Sequence, residues 1–156
     1  MTHATLPADP TLDEIRSGLI ADVAANAAFD GWGKLAVTAA AEMHGIDGDV
    51  AMLAFADGPV DMIDAWFAHI DAEMARALPA ETLATMKIRE RITALVECRM
   101  MLVAPNRESL RRALTILALP QNAPRAVKLG WRAADAMWRL AGDTATDFNH
   151  YTKRMT

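Results

Sequence analysis

Cysteine is almost absent: Cys98 is the single one in 156 residues. One thiol closes no internal disulfide, so the fold rests on packing, and a reducing compartment is expected. Glycine and proline are sparse and β-branched residues do not cluster, which disfavours strands and loop-rich scaffolds. No stretch approaches about 18 continuous apolar residues, so no membrane-spanning helix is expected. The opening MTHATLPADP has neither a basic segment nor an apolar run, so it reads as neither a secretory signal nor a transit peptide. Excess positive charge is missing as well. The formal net charge is −4 and the pI about 5.5, so nothing draws the whole chain to nucleic acid.

Motifs for catalysis are equally scarce. There is no H-E-x-x-H, no glycine-rich phosphate loop and no G-x-S-x-G. Cys98 stands between Glu97 and Arg99 inside a helical pattern and reads as a structural thiol. Asp147 and His150 are spaced to share a helix face, but a di-iron bundle needs two Glu-x-x-His motifs and two further Glu. A helix-capping Asp and a surface His account for the pair, and the expectation is no enzyme, no metal and no cofactor. A free-standing oxygenase with Asp147 and His150 as ligands is the catalytic alternative.

What is present is helix. Hydrophobic residues make up 53% of the chain and alanine dominates, as suits an all-α domain. Residues 1–10 read as a frayed lead-in. Thr11 with Glu14 forms a capping-box pattern, followed by the stripe Leu12, Ile15, Leu19, Val23 and Ala27, ending before Phe29. A second helix is expected from about Lys34 to His44, stopped by Gly45, and a short third one over DVAMLAFA. A longer helix followed by two short ones about a tight turn is the layout of a helix-turn-helix, giving a three-helix region over 11–57. Its charge argues against DNA. Residues 30–57 hold Lys34 against Asp30, Glu42, Asp47, Asp49 and Asp57, and the third helix offers no Arg, Lys, Asn or Gln for base edges.

Residues 58–156 then read as a second, ligand-binding helical region. Val60, Ile63, Phe67, Ile70 and Met74 share one face of a fourth helix. A fifth is expected from about Thr82 to Val103, with Ile88, Ile92, Leu95, Arg99 and Leu102 in line. Arg99 on that apolar stripe either snorkels to the surface or meets a carboxylate at a cavity mouth. Pro105 breaks the helix and Asn106 is placed to cap a sixth, which Pro120 ends. Asn122-Ala123-Pro124 opens a seventh whose face runs through Val127, Trp131, Ala134 and Trp138. Gly142 closes it and Thr144 is placed to cap an eighth. Ten methionines suit either a helical core or a pocket that adapts to a flexible apolar ligand. Trp131, Met137, Trp138, Phe148 and Tyr151 gather on one helix pair, as core or as an exposed partner site.

The segments RALTILALPQNAP (112–124) and DAMWRLAGDTATDFNHYTKR (135–154) resemble the lipid-binding ubiquinone-biosynthesis family, the ninth Coq protein and its bacterial relatives. The most specific block is AGDxxTDFN, at Ala141, Gly142, Asp143, Thr146, Asp147, Phe148 and Asn149. FDGWGKLAVTAAAEMHGI and KIRERITALVECRMMLVAPNRESLRRAL resemble the family's earlier segments.

The resemblance implies a TetR-like helical bundle with a vestigial helix-turn-helix. It also implies a hydrophobic pocket for an isoprenoid or phospholipid, and a non-catalytic role presenting a quinone intermediate to the di-iron demethoxyubiquinone hydroxylase. Stripe position nominates Leu95, Leu102, Leu114, Leu117, Val127 and Met137 for the pocket. The family's hydroxylase patch falls on Met137, Asp147 and Tyr151, and on a Trp whose place His150 takes here. The family continues past YTKR into further helices, one amphipathic and membrane-associated, that close the pocket and form a homodimer. This chain is expected to stop before them, leaving an exposed apolar face prone to self-association. The expected location is the bacterial cytoplasm, peripheral to the inner membrane. The alternative function is a TetR-like regulator sensing an apolar ligand.

Overall fold

The computed structural model describes residues 5–142. Eight α-helices follow one another there, with no strand among the described residues. They are α1 (Leu12–Asp30), α2 (Lys34–Met43), α3 (Gly48–Leu53), α4 (Pro59–Ala77), α5 (Ala80–Ala84), α6 (Ile88–Val103), α7 (Arg107–Leu117) and α8 (Ala123–Leu140). The all-α expectation is met, and the arrangement is compatible with a TetR-like bundle.

Helix α1 starts where its chemistry requires. The Thr11 hydroxyl accepts from the Glu14 amide at 3.2 Å, and the Glu14 carboxylate accepts from the Thr11 amide at 3.3 Å. Ile15, Leu19, Ile20, Val23, Ala24 and Ala27 are buried, while the stripe's first member, Leu12, is exposed. The helix runs through Phe29, past its expected stop, and leaves that ring in solvent. Helix α2 packs Ala36, Val37, Ala40 and Ala41 into the core, where methyl-sized side chains let helix backbones approach closely. In α3, Asp47 caps the start by accepting from Asp49 and Val50. The helix ends at Leu53, short of the DVAMLAFA pattern, because Ala54 and Phe55 turn back on 3₁₀-type bonds to Ala51 and Met52.

The expected fifth helix from Thr82 to Val103 is two helices. The Thr85 hydroxyl donates to the Thr82 carbonyl at 2.7 Å, and the Thr85 and Met86 amides bond three residues back, which closes α5. Lys87 is extended (φ −69°, ψ 155°), and its amide donates to the Glu90 carboxylate at 3.1 Å to open α6. Asn106 takes the capping position of α7 without a side-chain capping bond.

Two apolar clusters form. The larger joins α1, α2, α3, α4, α7 and α8 around Leu19, Val37, Phe55, Ile63 and Trp66. The smaller joins Met74, Leu83, Leu95 and Ala141, with Met86, Ile92, Leu102 and Met137 packed against it. Phe67, placed on the core face by periodicity, is half-buried, and Trp66 beside it is buried instead. Trp66 meets Trp32 with ring centroids 5.3 Å apart.

Polar links hold these layers in register. The Trp32 indole N–H donates to the Ser109 carbonyl at 2.9 Å, and the buried Ser109 hydroxyl donates to the Ala24 carbonyl at 2.5 Å. Arg16 of α1 reaches the α3–α4 joint. It makes a bidentate pair with Asp61 at 2.7 and 2.8 Å, donates to the Ala54 carbonyl at 3.1 Å, and lies over the Phe55 ring. The Asp61 hydrogen bond raises the pKa of Arg16 above its ordinary value.

Replacing Trp32 with Phe removes the indole donor to the Ser109 carbonyl and leaves space where the larger buried ring stood. A loss of about 1–3 kcal/mol is expected, read as a lower urea midpoint at unchanged slope. His69 on α4 gives a pH signature. Burial lowers its pKa below 6.5, with Glu73 opposing and Arg76 assisting. The unfolded chain then binds more protons as pH falls, so His69 lowers stability from about its unfolded pKa down through its depressed folded one. The H69Q variant should show a shallower fall in urea midpoint between about pH 7 and about pH 5; an unchanged slope would refute this.

Candidate functional site

The six residues nominated for a lipid pocket separate into two groups. Leu95 is fully buried in the smaller cluster, Met137 packs against that cluster, and Leu102 touches both clusters. Leu117 is buried in the larger one. Leu114 and Val127 are 53% and 60% exposed and point away from both. Four of the nominated side chains therefore stand at or between the two cores, and two stand on the surface.

The smaller cluster has a distinct makeup. Met74, Met86 and Met137 meet Leu83, Leu95, Leu102 and Cys98 between α4, α5, α6 and α8. Unbranched thioethers reshape at low cost, so this is the more deformable of the two cores. Arg99 sits at its margin, ion-paired with Asp71 of α4 and 5.8 Å from the centre of the Phe67 ring. The stripe's charged member thus meets a carboxylate, and neither the groove at residues 5–10 nor the one between α4 and α8 opens at it.

Arg91 closes the other end of the cluster. Its Nε donates to the Met86 carbonyl at 2.8 Å and its Nη1 to the Ala141 carbonyl at 2.9 Å. One guanidinium thereby holds both the α5–α6 turn and the C-terminus of α8. Gly142 makes room for it. A β-carbon there would lie 3.1 Å from Arg91 Nη1, and the backbone has φ +85°, which disfavours any side chain. Gly142 closes α8 as its position in the sequence implies, and it is the second residue of the AGDxxTDFN block.

Two open grooves of about 620 Å³ each lie elsewhere, and none of the six nominated residues lines either. One runs between residues 5–10 and the α2–α3 turn, where Leu6 occupies the space that a side chain on Gly18 would need. The other runs between α4 and α8, lined by Asp57, Asp61, Asp64, Arg125, Lys128, Trp131 and Arg132 among others.

The side of α8 that packs into the core is not the apolar row that the sequence shows, which by spacing alone suits either core or surface. Leu129 is buried and Ala126 and Met137 are half-buried, whereas Val127, Trp131 and Trp138 are exposed. Of the nominated hydroxylase patch, Met137 is half-buried, and Asp147, His150 and Tyr151 lie outside the described residues, as do Thr144 and Phe148. Among the described residues, no group of three or more His, Cys, Asp or Glu is placed as metal ligands would be, and no helix is long and apolar enough to cross a membrane.

Periodicity overlooked Trp32, Ser109 and Arg91. Trp32 carried a faint signal, as an aromatic between two glycines at a helix junction. Ser109 and Arg91 sit in ordinary helical sequence and are distinguished only by what they meet.

A family model described as COQ9 matches residues 123–156. Over 117 residues, 75% of this chain and 36% of the relative, it is 37% identical to the rat protein named ubiquinone biosynthesis protein COQ9, mitochondrial. The human protein of that name is 34% identical over the same shares of both chains. The Drosophila melanogaster protein is 24% identical over 92% of this chain and 45% of its own length. The chain thus spans between about a third and a half of the length of these three relatives.

All three relatives are named mitochondrial, which contradicts the bacterial-cytoplasm expectation. The expectation leaned on the first ten residues, and the start of a chain that spans part of its relatives carries no information about compartment. The family block, the match over 123–156 and the wider alignments agree: the chain belongs to the COQ9 family.

Proposed function

We propose that this chain acts in ubiquinone biosynthesis as a non-catalytic lipid-binding protein. In this reading it binds an isoprenoid quinone intermediate and presents it to a di-iron hydroxylase. The observation that carries the reading is the family match over 123–156, which contains the AGDxxTDFN block. The relatives are named for ubiquinone biosynthesis. The methionine-rich cluster supports the same reading. Leu95, Leu102 and Met137 meet there beside Met74 and Met86, in a core able to rearrange around a flexible apolar chain. Asp147, His150 and Tyr151 follow the Arg91-held end of α8 in sequence and, with Met137, form the proposed hydroxylase contact. A bound lipid, a homodimer and a membrane surface complete the proposal.

Solvent extraction of the purified chain, followed by mass spectrometry, should release isoprenoid lipid in near-stoichiometric amount. Folded protein that yields none, and that takes up none when incubated with a ubiquinone precursor, would sink the reading.

The three-helix layout of α1–α3 favours a second reading, a ligand-sensing regulator of the TetR type. Electrostatics separates the two. The α2–α3 surface carries Glu42, Asp47 and Asp49, and Lys34 is the single Lys or Arg of residues 30–57. A gel-shift assay at low salt on the chain's own upstream DNA should show no shift; a salt-sensitive shift would favour the regulator.

A further inference from the structure

Negative charge is gathered at the start of this chain. Residues 1–57 hold nine Asp and Glu against two cations, Arg16 and Lys34, a balance of −7 in a chain of −4. Arg16 is engaged with Asp61 at 2.7 and 2.8 Å. Lys34 opens α2, about 13 Å along the axis from Met43 at its end. The groove between residues 5–10 and the α2–α3 turn lies in this acidic region. Its apolar lining is Leu6, Pro10, Ile15, Met43, Ile46 and Val50, and its acids are Asp9 and Asp47. Glu42 and Asp49 adjoin lining residues in sequence, and all four carboxylate side chains belong to exposed residues. Among the described residues no Lys or Arg lines the groove, and none is ion-paired with these four acids.

Both walls of the groove are fixed. Leu6 packs against the larger core, and a β-carbon on Gly18 would lie 2.7 Å from its Cδ2, so Leu6 rests on the bare backbone of α1. Pro7 and Pro10 stiffen the segment between Leu6 and the cap at Thr11. On the other side the Ile46 amide donates to the Ala41 carbonyl at 2.9 Å, and Asp47 caps α3. His44, also in the lining, is hydrogen-bonded to Asp22 at 2.6 Å. Two apolar members of these fixed walls nonetheless face water: Met43 is 62% and Val50 42% exposed.

We propose that this groove docks a basic polypeptide segment of a partner protein. Aliphatic side chains of the segment enter between Leu6 and Val50, and its Lys and Arg meet the acids on the rim. Charge complementarity selects the occupant. Nucleic acid and anionic bilayers are repelled by the same acids. A second copy of this chain, meeting the groove about a two-fold axis, would set acid against acid. A small molecule would stay half in water, because the groove is open where ligand pockets enclose. A polypeptide tolerates that exposure and gains from apolar anchors with a polar rim. Met43 adapts to side chains of different shape, and a groove built in advance spares the ordering cost of binding. The surface lies on the larger core, apart from the hydroxylase contact proposed beside Met137, and the proposal does not rest on the chain carrying a quinone.

The test titrates the full chain into a fluorescent peptide of leucine and lysine in amphipathic order and reads anisotropy. Binding is expected, and it should weaken with salt. A probe with glutamate for lysine should not bind, and one with serine for leucine should bind poorly. The D47N/D49N variant should lower affinity about fivefold and flatten the salt dependence. The M43S/V50S variant should lower it about tenfold. Asparagine caps a helix as well as aspartate does, and Met43 and Val50 are exposed, so circular dichroism and the urea midpoint should stay close to the parent's. The E81Q variant on α5 and L114S on α7 should bind as the parent does. A photo-crosslinking leucine analogue in the probe should label residues 5–10 and 43–50. No binding of the leucine–lysine probe, equal binding of the glutamate probe, full binding by either groove variant, or crosslinks elsewhere would overturn the proposal. So would a dimer in sedimentation that M43S/V50S breaks, which would assign the groove to a second copy. A chain that yields no isoprenoid on extraction yet binds the probe through these residues would retain this proposal and lose the carrier reading.

Discussion

A buried relay of two hydrogen bonds holds the N-terminal helices to the later ones. Trp32 donates to the Ser109 carbonyl, and Ser109 donates to the Ala24 carbonyl, joining α1 and the α1–α2 turn to α7 across 77 and 85 residues of sequence. Water is excluded at this junction, so either bond, once lost, leaves a polar group without compensation. The relay also sets where α7 lies, and α7 contributes Ala113 and Leu117 to the larger core. Helix α8 packs over α4 and α7 in turn. The placement of its buried and exposed faces therefore traces back to a tryptophan between two glycines.

Around that junction the molecule separates tasks between its two cores. The larger is rich in alanine and β-branched side chains, with the rings of Trp32 and Trp66 tilted against each other, and it is built for rigidity. The smaller is built from methionine and leucine and is bordered by Arg91 at one end and Arg99 at the other. Each guanidinium finds an acceptor fixed by another helix, so the deformable core is enclosed by directional contacts. Rigid packing beside a deformable cluster lets one part of the scaffold adjust while the other keeps its shape.

Much of this was legible from spacing and chemistry. The capping pair Thr11 and Glu14, the stop at Gly142, and most of the buried stripe of α4 follow from local rules that the tertiary structure obeys. Helix α8 is the instructive exception. It is apolar on two sides, one through Ala126, Leu129 and Met137 and the other through Val127, Trp131 and Trp138. Hydrophobic periodicity detects both rows and ranks the one with larger side chains first. Packing chose the smaller-residue row, with Leu129 buried in the larger core. Leu114 and Val127 were assigned to a pocket by the same reasoning and stand in solvent for the same reason.

The residues by themselves determined the helical class, most helix boundaries, the acidic character of the α2–α3 region and the family. Each depends on neighbours in sequence, through hydrogen bonds and side-chain spacing within a few residues. Only the tertiary structure decided which face of α8 is buried, that Arg91 holds the last turn of that helix, that Arg99 meets Asp71, and that Ser109 is a buried joint. These are contacts between residues 28 to 85 positions apart, and no local pattern records them. They are set by which packing of eight helices fills space while leaving no buried side-chain polar atom without a partner among the described residues.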